Sequence, residues 1–254
     1  QGYAYDAKMR GARLARMFWN DPEYADRLER EADELKQRFN RDFWVEDGEY
    51  YALGLDPDGK QIDAIASNMG HLLWSGIVTD DRAPKVAERL LSPELFSGWG
   101  IRTLAYGQRR YNPIGYHVGT VWPFDNSIIA WGLRRYGLAE HAARVAQAII
   151  DASWFFGGRL PEAFAGYDRS RTKYPVQYPA ACSPYASSAG AVLLLVRAML
   201  GMEPHGNELV TNALLPPKLD PLGLADVPGR WGLADAFGRN LDNPPGARAL
   251  VRTW

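Results

Sequence analysis

The sequence predicts an all-α fold of antiparallel helical hairpins with one small β-hairpin, and three observations carry that reading. Apolar residues recur at steps of three and four along much of the chain, the periodicity of amphipathic helices. No alternation of strand and helix patterns supports a parallel sheet. The helical stretches are parted by long segments dense in Gly, Pro, Asn and aromatics, a composition of ordered loops and not of flexible linkers.

The first helix runs from Tyr3 to Trp19, with Leu14, Met17 and Phe18 at helical spacing. Asn20 stops it, and Asp21-Pro22 restarts the chain as an N-cap and a first-turn proline. Tyr24, Leu28, Ala32, Leu35 and Phe39 form the stripe of the second helix. Tyr51, Leu53 and Leu55 then alternate, and Asp56-Pro57-Asp58-Gly59 supplies turn chemistry before Gln61 to Ile65 returns as a hairpin. Helical pattern resumes over Asn68 to Trp74 and Asp80 to Leu91, with Val86, Leu90 and Leu91 inward. Further helices cover Asp125 to Tyr136, Ala139 to Phe156 and Tyr185 to Leu200. Two long loops remain, Ser92 to Trp122 and Gly157 to Pro184, and loops of that length inside a compact domain are usually functional. After Met202 the chain turns proline-rich, with Leu219 to Leu224 and Arg230 to Ala236 reading as short strands or a packed tail. The chain thus divides into a helical portion, 1–203, and a proline-rich C-terminal tail, 204–254.

At 254 residues, 46% hydrophobic and 23% charged, the chain can bury a substantial core. A formal net charge of -1, with both signs interspersed, offers no field for nucleic acid or an anionic membrane. No apolar run approaches the roughly 20 residues that span a bilayer. The lone Cys182 has no intrachain disulfide partner, which fits a reducing, cytoplasmic compartment. There is no signal-peptide pattern and no initiator Met, so Gln1, directly before a helical pattern, reads as the interior of a longer chain. No cofactor and no metal is expected. By composition alone the 9 Trp and 13 Tyr read first as an aromatic-rich core, and their positions must decide otherwise, because these side chains also join a flat apolar face to a hydrogen-bonding handle. Sugars present the complementary surface, apolar C–H faces rimmed by hydroxyls.

Four segments concentrate polar and aromatic groups. Tyr111 to Asn126 crowds Asn112, Tyr116, His117, Trp122, Asp125 and Asn126 beside a helix start, where Asp125 reads equally as a helix cap. Gly98-Trp99-Gly100-Ile101-Arg102 sets Trp99 and Arg102 among glycines that permit unusual backbone angles. Its Arg102 fork suits adjacent hydroxyls or a structural carboxylate pair. Ser67-Asn68-Met69-Gly70-His71 adds an amide and an imidazole. In Gly158 to Tyr167 a single carboxylate, Glu162, stands among apolar neighbours, a setting expected to raise its pKa toward proton transfer.

In combination, Gln1-Gly2-Tyr3-Ala4-Tyr5-Asp6-Ala7, Ser67 to His71, Gly98 to Arg102, Tyr116-His117-Val118-Gly119-Thr120-Val121-Trp122-Pro123 and Leu160-Pro161-Glu162 resemble the amylo-α-1,6-glucosidase, or glycogen-debranching, family from Gln1 to about Gly201. The resemblance implies an (α/α)6 barrel, incomplete in this chain, whose loops at one end of the helix ring form a sugar pocket. It implies Glu162 as general base of an inverting hydrolysis of α-linked glucosides. Trp99, Arg102, Tyr116, His117, Trp122, Asn126, Asn68 and His71 would then contact sugar, with an oligosaccharide or glucan as substrate. The family's general acid lies upstream of the Gln-Gly-Tyr segment, so the implied partner is the N-terminal half of the barrel. Two other readings stand beside this one, a non-catalytic carbohydrate-binding domain and a sugar isomerase or epimerase using His71 and His117.

Overall fold

The computed structural model describes residues 1–240. Helix α1, Gly2–Leu14, runs into a single π-helical turn, Ala15–Trp19, and ends at Asn20 in the left-handed region. Helix α2, Pro22–Asp42, starts as its residues demand. Asp21 Oδ1 accepts the Tyr24 N–H at 2.9 Å and Pro22 fills the first turn. Two short antiparallel hairpins follow, β1 (Trp44–Val45) with β2 (Tyr50–Tyr51) and β3 (Gly54–Leu55) with β4 (Gln61–Ile62). The second is the expected hairpin. The first, which has no readable period, is held by packing of Phe39, Phe43, Trp44 and Tyr51.

Helices α3 (Asn68–Ser75), α4 (Ala83–Leu90), α5 (Pro123–Arg135), α6 (Ala139–Ser153) and α7 (Ala186–Leu200) complete the helical set. Helix α5 packs on both α3 and α7, while α6 lies outside against α5 and α7. Helices α3 and α5 run parallel. His71 meets Asp125 near the two N-termini, and Arg135 Nη1 donates to Trp74 O at 2.7 Å near the C-termini. At the other end of α5 and α7, Arg134 lies against Gly201. The inner helices therefore send their N-termini to one end, where the loops 92–122 and 157–184 also lie. This is an arc of an (α/α)6 barrel, with seven α-helices among the described residues.

The core is one cluster, centred on Leu73, Ile77, Leu90, Leu95, Ile129, Leu133, Ile149 and Leu195. The described part of the proline-rich region packs on it. Strands β5 (Glu203–His205) and β6 (Glu208–Val210) pair, as do β7 (Leu222–Gly229) and β8 (Gly232–Gly238). Leu209, Leu215, Ala234 and Ala236 from this region join the main core, so no second core begins at 204. Residues 241–254 lie outside the described residues.

The far half of the α1–α2 hairpin packs only on itself, through a small cluster of Ala12, Ala15 and Ala25. Leu14, Met17 and Phe18, which share a face by spacing, are exposed, Phe18 at 72%. The π turn shifts the helical phase there and carries Trp19 outward as well. An exposed apolar stretch of this kind marks a surface that meets something else.

Helices α3 and α5 approach closely at two glycines. A Cβ on Gly132 would stand 2.5 Å from Trp74 N and 3.0 Å from Gly70 O, so the contact admits no side chain. Gly132→Ala is expected to force the helices apart and cost about 1–3 kcal/mol. Urea unfolding monitored by circular dichroism measures this; an unchanged midpoint would mean that the pair separates freely.

Candidate active site

The two long loops contain no regular strand, yet backbone bridges knit them together. Arg102 pairs with Val121, Val121 with Phe164, and Phe164 with Gln177. The central pair is joined in both directions, Val121 N–H to Phe164 O at 2.8 Å and Phe164 N–H to Val121 O at 3.0 Å. This register brings Trp122, one residue after Val121, near Glu162, two residues before Phe164. Gly98 and Gly100, at φ +85 and +147, make the tight turn that feeds the strap, as their glycines suggested.

Glu162 is 7% exposed, and each of its carboxylate oxygens accepts one hydrogen bond. The Tyr116 hydroxyl donates to Oε1 and the Cys182 backbone N–H donates to Oε2 at 3.1 Å. The Glu162 N–H in turn donates to Cys182 O at 2.9 Å. The sequence-based expectation of a raised pKa is corrected here. The Tyr116 hydrogen bond, then those of Cys182, favour the charged form and outweigh burial, so the pKa is lowered. The same bond, with burial, pushes the Tyr116 phenol up to about 12, so that it stays the donor. Aromatic rings gather around Tyr116. Tyr116 lies 4.8 Å from Trp122 and 5.8 Å from Tyr178 between ring centroids, and His117 stacks on Trp122 at 5.1 Å. Glu162, Tyr116, His117 and Trp122 therefore meet, although they span some forty-six positions.

Three other residues expected to contact sugar are instead buried supports. Arg102 spends its donors on loop carbonyls, Nε on Gly166 O at 2.6 Å and Nη1 on Pro93 O and Glu94 O at 3.0 Å each. Its Nη2 reaches Asp168 at 3.5 Å. Asn126, wholly buried, accepts the Ile101 N–H at 2.7 Å and donates to Ile101 O and Trp122 O. Their types suited ligand binding, but buried backbone groups of irregular loops need partners, and these side chains supply them. Trp99 is buried under the Arg169 guanidinium, which sits 4.0 Å from its ring centroid.

His71 and Asn68 line a second concavity, a cavity of about 200 Å³ shared with Gln1, Tyr3, Phe39, Phe43 and Tyr51. Asp125 does not cap α5. Trp122 holds the N-cap position, and Asp125 in the first turn binds His71 Nε2 at 2.5 Å. Asp125 and Trp122 lie one helical turn apart, so α5 links this group to the Glu162 cluster. His71 is bonded to Tyr3 and Asp125, whereas His117 stacks on Trp122, so the two imidazoles belong to different groups. The Asp125–His71 contact had no signal in the sequence, because the two stand 54 positions apart on different helices. Among the described residues, no group of three or more His, Cys, Asp or Glu stands together as metal ligands would. No helix among them is long and apolar enough to cross a membrane.

Removing the Tyr116 hydroxyl takes away the largest cause of the Glu162 shift. Tyr116→Phe is expected to raise that pKa toward the ordinary carboxylate value. An NMR titration of the Glu162 side-chain carboxyl carbon reads it, and an unmoved midpoint would leave the Cys182 amide as the sole support of the charge.

Comparison with known proteins identifies the family and the fold. The family model for the mannosylglycerate hydrolase MGH1-like glycoside hydrolase domain matches residues 1–155. A mannosylglycerate hydrolase of Rubrobacter radiotolerans is 30% identical over 145 residues, 55% of this chain and 32% of that protein. The chain thus spans about a third of the curated relative it matches. Among solved structures, a sialidase superposes with a TM-score of 0.75 at 16% identity, over 89% of this chain and 22% of that one. The mannosylglycerate hydrolase of Thermus thermophilus, in complex with glucose, gives a TM-score of 0.61 at 20% identity, over 76% of this chain and 44% of that one. The neutral trehalase of Saccharomyces cerevisiae gives 0.58 at 17% identity, over 78% and 37%. These likenesses show the shared six-hairpin fold. With the family model covering more than half its length, the chain belongs to the MGH1-like glycoside hydrolase domain family.

Proposed function

We propose that the protein is an inverting glycoside hydrolase acting on α-linked glycosides, with Glu162 as the general base. The observation that carries the reading is a carboxylate whose charge is favoured by the Tyr116 hydroxyl and the Cys182 amide, beside a Tyr116 ring that packs on Trp122 and Tyr178. Inverting hydrolysis needs such a base to take a proton from water while a second, protonated carboxyl donates to the leaving oxygen. The two stand roughly 6.5–9.5 Å apart to admit that water. The lowered pKa keeps Glu162 charged, as a base must be before it can accept a proton. Glu162 lies past the segment the family model matches, so its role rests on this geometry and on the Leu160-Pro161-Glu162 motif.

In this reading Tyr116, His117 and Trp122 contact the sugar, and Asn68 and His71 line the second concavity. Arg102, Asn126 and Trp99 act beneath them by holding the loops. The general acid belongs to the sequence that precedes the Gln-Gly-Tyr segment in the resembled family. Activity is therefore expected of a protein carrying that segment, whose helices would also cover the exposed Met17, Phe18 and Trp19. Family membership favours a small substrate such as mannosylglycerate, on which the curated relative is named as acting. The second reading is the debranching-type α-1,6-glucosidase, favoured by the order of motifs from Gln1 to Glu162. Offering mannosylglycerate and an α-1,6-linked glucoside side by side separates the two.

Glu162→Gln keeps the shape of the side chain and removes the base. Turnover is expected to fall about 10²–10⁴-fold with sugar affinity largely kept. Glu162→Ala supplied with azide should form a β-glycosyl azide, since the anion enters from the face opposite an α-linked leaving group. An α-configured azide product, or wild-type turnover in Glu162→Gln, would remove Glu162 from the role of base. Binding without turnover of either glycoside by the wild-type protein carrying the acid segment would favour the non-catalytic reading.

A further inference from the structure

A chain of three polar groups lies beside the cavity. The Tyr3 hydroxyl bonds His71 Nδ1, and His71 Nε2 bonds Asp125 Oδ1 at 2.5 Å. Tyr3 and His71 come from α1 and α3 and line the cavity of about 200 Å³, while Asp125 stands behind them on α5. The second Asp125 oxygen, Oδ2, is buried with no hydrogen-bond partner among the described residues.

A carboxylate accepts and does not donate, so Asp125 requires a proton on Nε2. In a neutral imidazole that leaves Nδ1 as the acceptor. Its partner there is the Tyr3 hydroxyl, which must then donate. Burial and the Asp125 charge both push the Tyr3 phenol pKa up, in keeping with a hydroxyl that retains its proton. With that proton committed to His71, what Tyr3 offers the cavity is oxygen lone pairs. The Asp125 side chain thus decides, two hydrogen bonds away, whether the cavity wall accepts or donates.

We propose that Asp125 is a positioning residue. It locks His71 in the Nε2–H tautomer, and this makes Tyr3 a pure hydrogen-bond acceptor that selects a donating ligand hydroxyl. The inference rests on the glycoside reading only for the nature of that ligand. The structural alternative is an anion in the first turn of α5 that does no more than favour the helix dipole.

Two-bond 1H–15N spectra of the imidazoles, in the wild-type protein carrying the acid segment, read the tautomer directly and need no variant. The expected state is Nε2–H at His71, and Nδ1–H would overturn the proposal. The second arm measures binding of methyl α-D-mannoside and its singly deoxyfluorinated analogues, in which one hydroxyl becomes an acceptor only. One position is expected to lose about tenfold or more in affinity, the cost of facing an acceptor with an acceptor. Tyr3→Phe and Asp125→Ala should each erase that difference, Asp125→Ala by releasing the tautomer while Tyr3 remains. A difference that persists in Asp125→Ala, accompanied only by a lower Tm, would leave Asp125 as a helix-end charge and end the proposal. A protein that binds no mannoside yet shows the Nε2–H tautomer sinks the mannosylglycerate reading and leaves the Asp125–His71 lock standing.

Discussion

Two backbone hydrogen bonds between Val121 and Phe164 join the loop that leads into α5 to the loop that leaves α6. Everything at the candidate site hangs on that register. It places Trp122 beside the segment that bears Glu162, and Tyr116 closes the gap by donating to the carboxylate while its ring meets the indole. The strap has no regular strand to support it, so its edges are tied by side chains. Arg102 gathers three carbonyls from neighbouring loops, and Asn126 secures the Ile101 backbone from inside α5. An unpaired buried polar group costs about 1–3 kcal/mol, so these two residues can hold irregular backbone buried where an apolar side chain could not.

The helices contribute direction. Inner helices running parallel bring N-termini to the loop end, where partial positive charge gathers. Asp125, in the first turn of α5, sits in that field and faces His71 across the seam that Gly70 and Gly132 keep narrow. Glu162 draws its support differently, from one phenol and one amide. The two carboxylates thus have different partners, although α5 and the strap bring their surroundings within a helical turn of each other.

Away from this end, the molecule exposes apolar surface that its own packing does not need. Met17, Phe18 and Trp19 project from the self-packed end of the α1–α2 hairpin, and Leu193 on α7 is 70% exposed. Both lie on outermost members of the helical arc, the places where a ring of hairpins meets its next neighbour. The described residues provide seven helices of that ring, and the chain covers 44% of the Thermus thermophilus relative.

Helix positions were legible in the sequence because the determinants are local. The stripe from Tyr24 to Phe39, the Asp21-Pro22 start and the turn at Asp56 to Gly59 each act within a few residues, and each element stands where those signals put it. The motif order also placed the chain among six-hairpin glycosidases, though it named a different member family. The residue types that would gather near Glu162 were readable for the same reason, since Tyr116, His117 and Trp122 lie in one short segment. What spacing could not decide is which polar side chains face a ligand and which face the backbone. Arg102 and Asn126 have the chemistry of sugar contacts, but the fold gives their donors to buried carbonyls. The Glu162 pKa went the other way from its apolar neighbours, because a hydroxyl forty-six positions upstream and an amide twenty positions downstream both point at it. Asp125 turned from a cap into a partner of His71 through the close approach of two helices. Such contacts depend on how loops and helices meet in three dimensions, and that is set by tertiary packing and by the need of buried backbone groups for partners, neither of which leaves a period in the sequence.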